Sequence, residues 1–140
     1  MEHTFIIIKP NAFNKRVVGK IYSMLEETGL DAVAMRMDRI DEKTAQKFYA
    51  EHSERPFFGE LCEFLSSGHI VMSVWKGENA VSIMRNVIGA TDPKNADEGT
   101  IRKLYGDDIC MNSIHGSDSV KSAEREMAMF FPNHAELVKS

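Results

Sequence analysis

Two short apolar runs in the chain are typical of buried β-strands. Phe5 to Ile8 is continuously apolar and rich in β-branched residues, and it ends at Lys9-Pro10, where proline interrupts a β-ladder. Residues 70–75 have the same character and predict a central strand. Two weaker signals predict a half-buried strand over residues 33–37 and the end of a fourth strand at residues 113–115.

The stretches between these strands repeat their apolar positions every three or four residues, which is the period of an amphipathic helix. The clearest are residues 17–25, followed by Gly29, and residues 80–88, followed by Gly89. Residues 90–99 are polar and form the longest predicted loop, and long ordered loops are often functional. Further helices are predicted at residues 41–49, 57–65, 100–104 and 120–131.

The resulting order of elements, β-α-β-(α-α)-β-α-β-α, favours an α+β sandwich. We expect the ferredoxin-like βαββαβ plan, with a four-stranded antiparallel sheet covered by helices on one face. The alternative is a small doubly wound sheet, whose parallel strands would need a glycine-rich phosphate loop early in the chain. The sequence has no such loop.

Composition and charge narrow the functional classes. The 140 residues are 43% hydrophobic and 27% charged, which suits one compact domain over residues 1–140 with a real core. The net charge is −4 and the isoelectric point about 5.7, whereas proteins that coat DNA or RNA usually carry a basic excess. We therefore expect no dedicated nucleic-acid binding. A small local cluster of cations around a phosphate is compatible with this net charge.

The cysteines and apolar stretches indicate where the protein works. Cys62 and Cys110 belong to no Cys-x-x-Cys pair and lie near no histidine at zinc spacing, so we expect two reduced core thiols, as in a reducing cytoplasm. We find no signal peptide, and every apolar stretch is shorter than the ~20 residues that span a bilayer. The expectation is a cytoplasmic protein with no membrane association.

The block from Asn112 to Ser119 is the strongest candidate for chemistry. His115 ends a predicted strand, Gly116 follows it, and Ser-Asp-Ser can cap the next helix. The imidazole would therefore lie beside a helix N-terminus, where free N–H groups and the helix dipole favour phosphate. A neutral imidazole is a competent nucleophile. On local sequence context alone, however, an ordinary histidine in a turn is more common than a nucleophile.

Other candidates are weaker when they are taken singly. Lys9 follows the first strand, Arg85 lies beside the apolar face of its helix, and Arg102 follows the long loop. Each is an ordinary solvated charge in most proteins, although arginine suits phosphate because its fork donates two hydrogen bonds. Phe57 follows a proline at a helix start, which locally favours core packing. The remaining histidines are expected to be surface or structural residues: His3, His52, His69 and His134.

In combination, motifs along nearly the whole chain resemble the nucleoside diphosphate kinase family. They are Ile7-Ile8-Lys9-Pro10-Asn11-Ala12, Phe48-Tyr49, Arg55-Pro56-Phe57-Phe58, Gly89-Ala90-Thr91-Asp92-Pro93, Gly99-Thr100-Ile101-Arg102 and Asn112-x-x-His115-Gly116-Ser117-Asp118-Ser119. The last motif is highly specific to the family. The resemblance implies one enzyme domain that transfers the terminal phosphoryl group of a nucleoside triphosphate to a nucleoside diphosphate, in two halves, through a phosphohistidine.

The resemblance also implies roles for individual residues. His115 would be the nucleophile, Glu126 would hydrogen-bond the other ring nitrogen, and Ser117 would lie near both. Lys9 and Tyr49 would contact the transferred phosphoryl group. The implied nucleotide contacts are Arg85, Thr91 and Arg102 on the inner phosphates, Asn112 with Lys9 at the ribose hydroxyl, and Phe57 with Ile109 on the two faces of the base.

Cofactor, partners and assembly follow from the same resemblance. Mg²⁺ would be carried by the nucleotide phosphates, with few or no protein ligands. The substrates would be nucleoside di- and triphosphates of any base, since stacking is tolerant of base identity. Members of the family form tetramers or hexamers built from a common dimer, so we expect a homo-oligomer.

Departures from the family pattern are modest. His69 stands where many members have proline, and the chain ends soon after Phe131-Pro132, without the longer tail of many eukaryotic members. We therefore expect a bacterial-like member. A non-catalytic relative is disfavoured because His115 and the phosphate-holding cations are present. An RNA-binding module is disfavoured because it would show exposed aromatic residues on a basic sheet face.

Overall fold

The computed structural model describes residues 1–139, and its centre is a four-stranded antiparallel sheet. The strands are β1 (Glu2–Ile8), β2 (Asp31–Asp38), β3 (Ile70–Gly77) and β4 (Ile114–Gly116). The helices are α1 (Pro10–Asn14), α2 (Val18–Glu26), α3 (Glu42–Phe48), α4 (Phe58–Leu65), α5 (Ala80–Ile88), α6 (Ile101–Tyr105), α7 (Val120–Phe130) and α8 (His134–Lys139). Single 3₁₀ turns lie at Ala50–His52 and Pro93–Asn95.

The strand order in the sheet is β2-β3-β1-β4, with every neighbouring pair antiparallel. Together with the order of elements along the chain, this is the ferredoxin-like arrangement, so the predicted fold class is confirmed. The doubly wound alternative is excluded because its strands would be parallel. The two most apolar runs, β1 and β3, occupy the middle of the sheet, as their sequences predict.

Helices cover both faces of the sheet, so the expectation of helices on one face was wrong. The side chains of β1 alternate between two cores. Phe5 and Ile7 pack with residues of α3, α4 and α7, whereas Ile6 and Ile8 pack with residues of α2, α5 and α6. All four are at most 1% exposed, and each such burial contributes about 1.5–3 kcal/mol. A strand that is apolar at every position has to be packed against other elements on both faces. The continuous apolar run of residues 5–8 already indicates this.

Two local features differ from expectation. Residues 10–14 form the helix α1 in place of a simple turn, because proline is well tolerated at a first helical position. The edge strand β2 is present as predicted, but its register shifts between Ala32 and Ala34. Met35 and Met37 are therefore 55% and 56% exposed, not half-buried. Within residues 1–139, no helix has both the length and the apolar character needed to cross a bilayer.

Candidate active site

The strand pair β1 and β4 brings the two strongest sequence motifs together. In their antiparallel register Ile7 lies opposite His115, and the backbone N–H of Lys9 donates to the carbonyl of Ser113 at 2.8 Å. The Lys9 ammonium then donates to Oδ1 of Asn112 at 2.9 Å. The end of the first strand and the segment that enters the last strand therefore form one side of the candidate site.

His115 is held by a buried carboxylate. Its Nε2 lies 3.0 Å from Oε1 of Glu126, a residue of α7 that is 4% exposed. The same oxygen accepts a hydrogen bond from Ser117 Oγ at 2.8 Å, and Ser117 is anchored to the backbone of Phe5. An ionised carboxylate can only accept, so Nε2 carries the proton and Nδ1 of a neutral ring keeps a free lone pair.

Aromatic packing fixes the plane of the imidazole. The Phe48 ring lies 4.9 Å from the His115 ring, centre to centre, at an interplanar angle of 80°. The centre of the Phe5 ring lies 6.4 Å from that of the imidazole, at an interplanar angle of 57°. The His115 side chain nevertheless keeps 20% of its surface exposed, so a ligand can reach it. A histidine that is clamped on three sides and open on one is suited to attack a group presented from solvent.

The cations Lys9, Arg85 and Arg102 lie close enough to affect one another's charge. Arg102 donates to the carbonyls of Gly89 and Ile114 at 3.1 and 2.8 Å. Burial, and then the nearby charge of Arg85, lower the pKa of Arg102 to about 10. Burial, and then the charge of Arg102, lower the pKa of Lys9 to about 7. Such a cluster favours an anion with several negative oxygens.

Arg85 also reaches the His115 side of this cluster. The pKa of Asp118 lies below its ordinary value, first because Ser122 donates to its carboxylate, and further because Arg85 and His115 are nearby. Arg85 itself is exposed on α5. Its guanidinium is therefore free to turn toward a ligand beside the imidazole.

Several buried polar atoms have no hydrogen-bond partner among residues 1–139. Two of them belong to residues proposed to contact phosphate: the hydroxyl oxygen of Tyr49 and Nε of Arg102. Tyr49 is 6% exposed, and burial raises the pKa of its phenol. Buried polar atoms are rarely left unpaired in native proteins, so these two point to a bound polar group.

The side-chain amide of Asn112 hydrogen-bonds to two loop residues that are proposed to contact the nucleotide. Its Nδ2 donates to the carbonyls of Thr91 and Ile109, at 3.1 and 3.2 Å. Asn112 is 2% exposed, so its amide is used inside the protein as well as toward Lys9. Its ribose contact stays a prediction. The side chain of Thr91 is exposed, and the Thr91 carbonyl accepts from Asn112.

Phe57 and Ile109 are apolar residues at the surface. Phe57, which precedes α4, is 41% exposed, so the local interpretation of this residue as core packing was wrong. Ile109 is 56% exposed in the loop before β4. Exposed large apolar side chains are suited to contact a planar ligand. Their pairing on two faces of a base stays a prediction.

Asn11 is a structural residue of the site that the sequence reasoning did not single out. Its amide donates to Asp107, to the carbonyl of Met111 and to Ser113 at 2.8–3.0 Å. Ser113 is fully buried with a φ of 76°, a conformation rare outside glycine, so the segment before β4 needs this support. Asn11 stands in the first motif, directly after Lys9-Pro10, and that position was the available signal.

Comparison with known proteins is decisive for the family. The nucleoside diphosphate kinase family model matches residues 2–135. A nucleoside diphosphate kinase of Chlorobaculum tepidum is 52% identical over 131 residues, covering 94% of each chain. The chain belongs to the nucleoside diphosphate kinase family. The predicted family, and with it an enzyme, is confirmed.

Solved structures of nucleoside diphosphate kinases have the same fold. The Aquifex aeolicus enzyme superposes with a TM-score of 0.91 at 42% identity, over 93% of this chain and 94% of that one. The Halobacterium salinarum enzyme, solved in complex with CDP, has a TM-score of 0.89 at 43% identity, over 93% and 87% of the two chains. This nucleoside diphosphate kinase family member therefore places its motifs on the backbone that its relatives use.

Proposed function

We propose that this protein is a nucleoside diphosphate kinase that works by a ping-pong mechanism through a phosphohistidine on His115. The observation that carries the proposal is the fixed imidazole: Glu126 holds Nε2 at 3.0 Å, and Nδ1 is left for attack. Lys9, which is buried, and Arg102, which is partly buried, supply cations whose pKa values are lowered. A nucleophile and cations for phosphate oxygens are the main requirements of phosphoryl transfer.

In the first half-reaction, the Nδ1 lone pair attacks the terminal phosphorus of a nucleoside triphosphate. The N–P bond forms as the bond to the bridging oxygen breaks, and that oxygen leaves with the electron pair on the nucleoside diphosphate. Positive charge that grows on the ring is offset by Glu126, which Ser117 holds in place at 2.8 Å. The second half-reaction is the reverse, with a different nucleoside diphosphate as acceptor.

The phosphates are held by the cationic cluster. Lys9 and the Tyr49 hydroxyl contact the transferred group, and Arg85, Arg102 and Thr91 hold the inner phosphates. Support comes from the unpartnered atoms of Tyr49 and Arg102 among residues 1–139, which a phosphate oxygen would satisfy. An oxyanion would also stabilise the ammonium form of Lys9, whose pKa burial lowers.

The nucleoside is bound with little discrimination between bases. The base stacks on Phe57 and contacts Ile109, while Asn112 and Lys9 serve the ribose hydroxyl. Every base has a face that stacks, so this arrangement accepts purines and pyrimidines. The related enzyme of Halobacterium salinarum was solved with CDP, which supports a nucleotide at the corresponding place here.

Mg²⁺ fits this site only as part of the nucleotide complex. Residues 1–139 hold no group of three or more His, Cys, Asp or Glu side chains arranged for a metal ion. Lys9, Arg85 and Arg102 repel a bare cation but attract phosphate oxygens. When bound to those oxygens, Mg²⁺ supplies charge neutralisation and orients the phosphates.

Assembly and location complete the proposal. The protein forms a homo-oligomer, a tetramer or a hexamer built from dimers, in the cytoplasm. Support for subunit contacts comes from the edge strand β2, where Met35 and Met37 are more than half exposed. Two free, buried thiols, Cys62 and Cys110, suit a reducing compartment. Light scattering in solution gives the subunit number directly.

A labelling experiment tests the activity. The protein is incubated with γ-labelled ATP and Mg²⁺, separated from nucleotide, and then given an unlabelled nucleoside diphosphate. We expect acid-labile, base-stable label on the protein, and its complete transfer to any of the common nucleoside diphosphates. Folded protein that takes up no label, or label that no acceptor discharges, would refute the proposed function.

A further inference from the structure

Arg125 connects two elements that both contact the His115 imidazole. It lies on α7, directly before Glu126, and its guanidinium reaches across to the end of α3. Nη2 donates to the carbonyl of Phe48 at 3.1 Å, although 77 residues separate the two in sequence. Nε lies 3.5 Å from a carboxylate oxygen of Glu51.

The first link from Arg125 to the imidazole runs through Glu126. Oxygen Oε1 of Glu126 is engaged by His115 and Ser117, at 3.0 and 2.8 Å. Oxygen Oε2 lies 3.8 Å from Nη2 of Arg125. The guanidinium therefore places a positive charge beside this carboxylate, which is 5% exposed, and restricts where its second oxygen can lie. A Glu126 carboxylate held in this orientation keeps Oε1 opposite Nε2 of His115.

The second link runs through Phe48. The Phe48 ring packs edge to face on the imidazole at 4.9 Å, and the Phe48 carbonyl accepts from Arg125. This carbonyl belongs to the last turn of α3, where carbonyls lack helical partners and a cation is favoured. Tyr49, whose hydroxyl is proposed to contact the transferred phosphoryl group, is the next residue in the chain.

We propose that Arg125 is a positioning residue for phosphoryl transfer: its guanidinium holds both Glu126 and Phe48, and thereby fixes the tautomer and plane of the His115 ring. The inference rests on the proposed function, because it assigns Arg125 a role in that reaction. Arg125 touches neither the imidazole nor a substrate in any recorded contact among residues 1–139, so it acts through the two residues it holds.

The chain offers a matched control in Arg36. Arg36 also donates to a carbonyl at a helix end, that of Phe130 in α7, at 2.7 Å. It also pairs with an exposed carboxylate, that of Asp38, at 2.6 Å. Within residues 1–139 it makes no direct contact with His115, Glu126 or Phe48. Arg36→Gln therefore removes the same kind of structural contact as Arg125→Gln without removing a contact of these three residues.

The experiment compares Arg125→Gln, Arg36→Gln and the unaltered protein by two measurements. The first is the single-turnover rate of protein phosphorylation by ATP and Mg²⁺, with the dissociation constant for ATP. The second is the ¹⁵N NMR spectrum of the His115 ring in the protein without nucleotide, which reports the tautomer. Arg125→Lys keeps the positive charge but lacks the planar guanidinium with its several N–H donors. It is used in place of Arg125→Gln if circular dichroism shows that the glutamine variant is unfolded.

We expect Arg125→Gln to lower the rate on the order of tenfold, the worth of one charge-assisted hydrogen bond, with ATP affinity within about twofold. Its two His115 ¹⁵N signals should move toward each other as the tautomers mix. Arg125→Lys should show a smaller change in the same direction, and Arg36→Gln should show neither change.

Three results would overturn the inference. They are equal behaviour of Arg125→Gln and Arg36→Gln, a rate loss caused by weaker ATP binding, and a rate loss with unchanged ¹⁵N signals. Absence of label in the unaltered protein would instead count against the proposed function. The ¹⁵N measurement tests the role of Arg125 in either case, because it requires no activity.

Discussion

Replacing Lys9 by methionine should stabilise the protein against unfolding while it damages a proposed phosphate contact. Lys9 is 4% exposed, and its ammonium donates to Asn112 at 2.9 Å. Burial, and secondarily the charge of Arg102, lower its pKa from an ordinary 10.5 to about 7. The folded protein therefore holds this charge at a cost in free energy, which a ligand with phosphate oxygens would offset.

The size and sign of the effect follow from that pKa. At pH 6 the ammonium is charged in both the folded and the unfolded chain, and the cost of the charge, roughly 5 kcal/mol, is fully present. Above pH 7 the unfolded chain binds more protons than the folded one, so the cost falls by about 1.4 kcal/mol per pH unit. Methionine also leaves the Asn112 oxygen without its donor, which costs about 1–3 kcal/mol. The net gain at pH 6 is then roughly 2–4 kcal/mol.

Urea unfolding without nucleotide measures this difference. We expect the Lys9→Met variant to be more stable than the unaltered protein at pH 6, with a gain that shrinks markedly by pH 9. Lys15→Met is the matched control, since Lys15 is an exposed lysine paired with Asp107 and should contribute at most about 1 kcal/mol. A Lys9→Met variant that is no more stable at pH 6, or whose gain is the same at pH 9, would refute the reasoning.

Three further substitutions test other parts of the account. Glu126→Gln should slow phosphorylation of His115 about 10- to 100-fold in single-turnover measurements, because it removes a charged hydrogen-bond acceptor, and an unchanged rate would contradict the proposed role. Phe57→Ala should raise the KM for nucleoside diphosphates about tenfold with little change in kcat, since stacking contributes about 1–3 kcal/mol per base. Gly89→Ala should lower the free energy of unfolding by about 1–3 kcal/mol in urea titrations, because Gly89 has a φ of 92° and a Cβ there would lie 2.6 Å from the Thr100 hydroxyl.

The elements of the fold could be predicted where the sequence pattern reflects burial directly. The periodic helix over residues 80–88 has the predicted bounds, and the apolar runs of β1 and β3 do lie at the centre of the sheet. The exposure of Met35 and Met37 could not be predicted, because it depends on a register shift between Ala32 and Ala34 that no local pattern shows.

The candidate site was predictable only in part. His115 could be proposed from its strand, glycine and capping residues, whereas Glu126 was assigned through the family resemblance. The link from Arg125 to Phe48 could not be foreseen, because 77 residues separate two positions that meet only when α7 packs beside α3. Contacts made by tertiary packing leave no spacing signal in the sequence.

The most direct test of the central proposal is the position of the phosphoryl group on the protein. The protein is reacted with ATP and Mg²⁺ without an acceptor and analysed by mass spectrometry and by ³¹P and ¹⁵N NMR. We expect one phosphoryl group per chain on Nδ1 of His115, since Nε2 is held by Glu126 at 3.0 Å, and its removal by any nucleoside diphosphate. A phosphoryl group on Nε2 or on another residue, or folded protein that takes up none, would contradict it.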